Sequence, residues 1–120
     1  MKKIKPFLFV LIAGAILALF TGCEEPNPVY TVKYEITGPE TIASKVAYIN
    51  SDGIIVNLQN VSIPWQTTIS VKGFFRAVCE IAFQSPVERS AYYINIYKNE
   101  NQLISRSVSN FLSAFVEIKN

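Results

Sequence analysis

Histidine is absent from the 120-residue chain. That removes the side chain that most often serves as general base, proton shuttle or metal ligand near neutral pH. Only two cysteines are present, Cys23 and Cys79, so zinc and iron sites of the usual kind lack a ligand set. Aspartate occurs once, as Asp52, and the glycine after it makes a turn the better account. The glutamates Glu35, Glu40, Glu80, Glu88, Glu100 and Glu117 fall singly, with no spacing that suggests a glycosidase pair. No serine lies in G-x-S-x-G, and the five glycines form no phosphate-cradling loop. We therefore expect no catalytic residues, no metal, no dissociable cofactor and no enzyme activity. Charge of one sign is also scarce, with 11 basic residues against 9 acidic ones. No basic patch argues for a nucleic-acid partner.

A long transmembrane run is missing as well. Lys2, Lys3 and Lys5 precede an uncharged stretch over residues 7–20. As a helix that stretch spans ~21 Å, short of the ~30 Å hydrocarbon core. A basic start, a short apolar middle and small residues at the end describe a secretory signal peptide over residues 1–22. A buried helix is the plainer alternative, but the stretch is apolar on all sides. Phe20-Thr21-Gly22-Cys23 resembles a bacterial lipobox, with Phe20 where leucine is usual. The resemblance implies cleavage before Cys23 and diacylglycerol on its thiol, with ordinary signal-peptidase cleavage as the alternative. Two or three acyl chains hold a protein on a membrane where one is marginal. The expected location is the outer membrane or cell surface, with membrane lipid as a covalent partner through Cys23.

Residues 23–28 then form a tether. Glu24-Glu25 resembles the surface-export signals of Bacteroidetes lipoproteins, and a solvated linker explains it equally well. Pro26 and Pro28 keep the tether out of any helix. The five residues 24–28 reach at most ~18 Å, so the domain stays near the bilayer. Loss of the leader lowers the basic count to 8 against 9 acidic residues, so the whole-chain pI of 8.6 overstates the basicity of the mature protein. With Cys23 acylated, Cys79 has no intramolecular partner. It sits in an alternating apolar run and reads as a buried, inert thiol.

From residue 29 onward the sequence alternates with a period of two. Tyr30, Val32, Tyr34 and Ile36 share one face, and Thr31, Lys33, Glu35 and Thr37 share the other. Gly38-Pro39 ends that predicted strand. Further strands are expected over residues 44–49, 54–60, 67–72, 74–83, 91–98, 102–108 and 111–119. Asp52-Gly53 marks a hairpin, because glycine supplies the positive φ such a turn needs. Pro64 marks an edge or crossover, with Trp65 plugging the core at that corner. In the strand over 74–83, Phe75, Ala77, Cys79, Ile81 and Phe83 point one way. One all-β domain over 29–120 is expected, an antiparallel immunoglobulin-like β-sandwich of seven or eight strands. A small barrel is the second choice.

What remains is surface chemistry. Tyr93, Asn95 and Tyr97 alternate with Ile94 and Ile96. If the isoleucines face the core, the aromatic row faces outward. Aromatic rings beside an amide suit a sugar- or protein-binding patch, since rings stack and amides hydrogen-bond. The plainer alternative is that a neighbouring strand or loop covers the row.

Three stretches carry a family resemblance: YTVKYEITG at 30–38, KVAYINSDG at 45–53 and NVSIPW at 60–65. They are similar, in this order, to the motifs of the MmpS family, small β-sandwich proteins of mycobacterial membranes with relatives among Bacteroidetes lipoproteins. Ile94-Asn95-Ile96-Tyr97 resembles the family's late hairpin, with Asn99-Glu100 in place of its Asp-Gly turn. The family's membrane helix is replaced by a lipobox here, and its paired cysteines are missing. The resemblance implies a non-enzymatic module held at a membrane, accessory to an envelope protein or a resistance-nodulation-division exporter. A surface adhesin or glycan-binding module using Tyr93, Asn95 and Tyr97 is the alternative, and a purely structural spacer is a third reading.

Overall fold

The computed structural model describes residues 28–109 and 112–119. The leader, most of the tether and Cys23 lie outside the described residues. The elements are β1 (Val29–Ile49), β2 (Ile55–Lys72), β3 (Phe75–Ala82), β4 (Tyr93–Lys98), β5 (Asn101–Ser107) and β6 (Ser113–Ile118). A single 3₁₀ turn at Arg89–Ala91 precedes β4. Every strand pairing is antiparallel.

Six strands stand where seven or eight were expected. The difference lies in β1, of 21 residues, and β2, of 18 residues. β1 runs through Pro39, expected to end a strand, and β2 runs through Pro64, expected at an edge or crossover and found in a strand that pairs with β1 alone. The β1–β2 ladder stops at Ile36↔Trp65 and resumes at Thr41↔Ile63. On the β2 side, residues 37–40 of β1 therefore stand opposite Pro64 alone, while Thr37 still pairs with Tyr93 of β4. Neither Pro39 nor Pro64 has to donate to a ladder at the irregularity, which is how proline is tolerated there. The Ile63–Pro64 peptide is cis. Gly38, at φ 146°, turns the backbone at this corner.

The corner folds the β1–β2 hairpin back on itself. The first half of β1 lies between β2 and β4, and the second half lies between β2 and β3. The strand order is β5-β4-β1-β3-β6, with β2 on the other edge of β1. The outermost strands β5 and β6 come into contact. The result is one continuous sheet curled into a nearly closed barrel, not two separate sandwiched sheets. Because β1 and β2 run through both halves, no break divides the halves, and the small-barrel alternative describes the molecule better.

The core follows the alternation. Tyr30, Val32, Tyr34 and Ile36 of β1 are buried, as are Phe75, Ala77, Cys79 and Ile81 of β3 and Ile94 and Ile96 of β4. Each fully buried aliphatic side chain contributes about 1.5–3 kcal/mol relative to exposure. The Tyr34 hydroxyl crosses the core and donates to the Ile49 carbonyl at 2.8 Å, tying the two halves of β1 together. Tyr48 stacks between Tyr34 at 5.4 Å and Trp65 at 5.7 Å. Trp65 thus seals the corner from a half-buried position. Cys79 is buried and free.

Two turns obey their residues. Asn50 Oδ1 accepts from the backbone N–H groups of Asp52 and Ile54, and Gly53 takes φ 78°. The β4–β5 turn has only two central residues, Asn99 and Glu100, both at positive φ. That is the backbone which suits the twist of a two-residue hairpin.

Candidate functional site

The outward row of β4 meets the outward row of β1. Register pairs Glu35 with Asn95, Lys33 with Tyr97 and Thr37 with Tyr93. Ile94 and Ile96 face the core, so Tyr93, Asn95 and Tyr97 share the opposite face. Their exposure differs sharply: Tyr93 is 43% exposed and Asn95 only 7%, while Tyr97 is half-buried.

Glu35 accounts for the difference. Its Oε1 accepts from Asn95 Nδ2 at 3.1 Å and from the Tyr97 hydroxyl at 2.7 Å. The amide orientation of Asn95 follows, since a flipped amide would set its carbonyl against a carboxylate. Asn95 Oδ1 is consequently left buried with no hydrogen-bond partner. The Lys33 ammonium lies 4.4 Å from the centre of the Tyr97 ring and covers one face of it. The hydrogen bond to Glu35 pushes the Tyr97 phenol above its ordinary value, with burial and the Glu35 charge adding to the shift. Tyr97 therefore remains a hydrogen-bond donor through the physiological range.

The structure thus brings Asn95 and Tyr97 together on Glu35 and sets Tyr93 apart. Sequence reasoning placed Glu35 and Lys33 on the solvent face of β1, which is correct, but it did not join them to β4. The signal lay in the matched polar rows of the two strands, and the missing quantity was their register. Chemically the cluster is a latch between β1 and β4. Its single carboxylate is engaged by two donors, the Asn95 amide and the Tyr97 hydroxyl. Among the described residues no group of three or more His, Cys, Asp or Glu side chains converges to hold a metal. Among the same residues no helix is long and apolar enough to cross a membrane, which leaves strands unaddressed.

The family model described as Mycobacterium membrane protein matches residues 20–89, more than half of the chain. The match spans β1, β2 and β3 and ends before β4. No curated protein matches the chain.

Proposed function

The chain belongs to the Mycobacterium membrane protein family, which is membrane-associated, and from that premise we propose a lipid-anchored accessory module of the cell envelope. In this reading the mature protein begins at Cys23, carries lipid on that residue, and sits at the outer membrane or cell surface. It performs no catalysis and assists a membrane transport complex. The observation that carries the reading is the family match, which begins at Phe20 and runs across the lipobox-like junction into the first three strands. The absence of histidine and the engagement of Glu35 by two donors support a non-enzymatic role.

The alternative glycan-binding reading draws its support from the exposed ring of Tyr93. It is weakened by the other two members of the row. Asn95 spends its amide on Glu35, and Tyr97 carries Lys33 on its ring. Photo-crosslinking in cells from exposed positions such as Tyr93 and Leu103 separates the readings. The accessory role predicts recovery of a membrane transporter. Repeated recovery of soluble or extracellular partners alone would contradict it.

A further inference from the structure

Four exposed apolar side chains gather where the chain enters the domain. Val29 is 59% exposed, Ile54 60%, Ile55 61% and Phe74 59%. They come from three separate segments: the start of β1, the β1–β2 turn and the β2–β3 turn. Folding the hairpin in half brings these segments together. Val29 pairs with Lys72, and Val29, Ser51, Asp52 and Lys72 line one groove. Phe74 follows directly on Gly73, whose carbonyl accepts from the Tyr30 hydroxyl. The apolar surface continues from Ile55 into a shallow depression it shares with Val78, which is paired with the 58%-exposed Phe115.

Turn tips are ordinarily polar, and apolar ones this exposed call for a partner. The length of chain ahead of Val29 says which. Only residues 24–28 separate it from Cys23, a reach of at most ~18 Å. An acyl chain on Cys23 therefore keeps this end of the barrel, and not the Gly38/Pro64 corner at the far end, against the bilayer. The charged side chains of the groove are one acid, Asp52, and one base, Lys72, so the groove itself is balanced in charge. We infer that Ile54, Ile55 and Phe74 rest in the interface of the bilayer that holds Cys23, fixing the barrel upright on the membrane with its Gly38/Pro64 corner outward. The inference rests on the lipid-anchor reading. Apolar faces of this kind settle ~5–10 Å into the headgroup boundary.

The test uses protein extracted from membranes and returned to phosphatidylcholine vesicles that carry nitroxide-bearing lipid. A fluorophore is attached through Ser51→Cys at the turn, which leaves Asp52 in place, or through Ser62→Cys at the far corner. Cys79, buried in the core, stays unlabelled. Intact mass is read first. The label at position 51 should be quenched several-fold more than the label at position 62, with or without added anionic lipid. The triple variant Ile54→Ser, Ile55→Ser, Phe74→Ser changes only exposed side chains and should lower the quenching at the turn several-fold, to the level the tether alone imposes. Quenching at the turn unchanged in the triple variant overturns the inference. Lipid on Cys23 with equal quenching at the two positions, or a difference seen only with anionic lipid, overturns the inference alone. A mass without lipid overturns the anchor reading together with it.

Discussion

Burial decides how the ionisable core residues behave. The Cys79 thiol is pushed up to about 12 from 9.0, by burial first and by the charge of Glu80 second. Burial also raises the hydroxyls of Tyr34 and Tyr30 from 10.0, and the bond to Glu35 raises Tyr97. All four groups hold their protons in the folded state at pH values where the unfolded chain has lost them. Their contribution to stability is therefore whole below the unfolded values and is lost as pH rises towards the folded ones. Denaturant midpoints should be level from neutrality to about pH 9 and fall from there towards pH 12. Cys79→Ala should move the onset up towards the tyrosine value of 10.0. A midpoint unchanged through that window would refute the assignment. The buried face of β1 and the buried Cys79 were legible in the sequence, because alternation alone sorts the side chains of one strand. The bond from Asn95 to Glu35 was not, since it joins residues 60 positions apart through a register that alternation leaves open.

Among the elements, the corner of β1 carries the most information. Sequence reasoning ended a strand at Gly38-Pro39, because proline lacks the N–H that a ladder needs. The chain instead loops these residues out and continues, so one strand does the work expected of two. Gly38 makes this possible twice over. Its φ of 146° suits glycine, and a Cβ there would lie 2.3 Å from Cδ1 of the buried Tyr92 ring. Tyr92 cannot readily yield, being packed at 5.0 Å against Phe83. Gly38→Ala should destabilise the fold by roughly 1–3 kcal/mol, the usual range for overpacking. Thermal or urea unfolding checks this. Combining it with Tyr92→Ala should give a smaller loss than the two single changes added together, as expected for residues in contact. Strict additivity would mean that the ring is not what the methyl group meets. The Asp52-Gly53 turn needed no such correction, because turn backbone is set by residues adjacent in sequence. The β4–β5 loop, expected over residues 99–101, is one residue shorter, since Asn101 pairs with Lys98.

For the whole molecule, the folded hairpin links architecture to placement. An all-β antiparallel domain was legible from residue 29 onward, as was its family from three short stretches. Closure into a near-barrel was not, because it depends on β1 having β2 along one edge and both β4 and β3 along the other. That closure returns the hairpin tip to the point where the chain enters, and so gathers Val29, Ile54, Ile55 and Phe74 at one end. The account of function hangs on what holds that end. The most direct measurement is the intact mass of the protein extracted from the membrane fraction, beside the fractionation of Cys23→Ala. The account predicts a chain that begins at Cys23 and carries the added mass of diacylglycerol, and a variant that leaves the membrane. An unmodified polypeptide mass, with Cys23→Ala still in the membrane fraction, would contradict it.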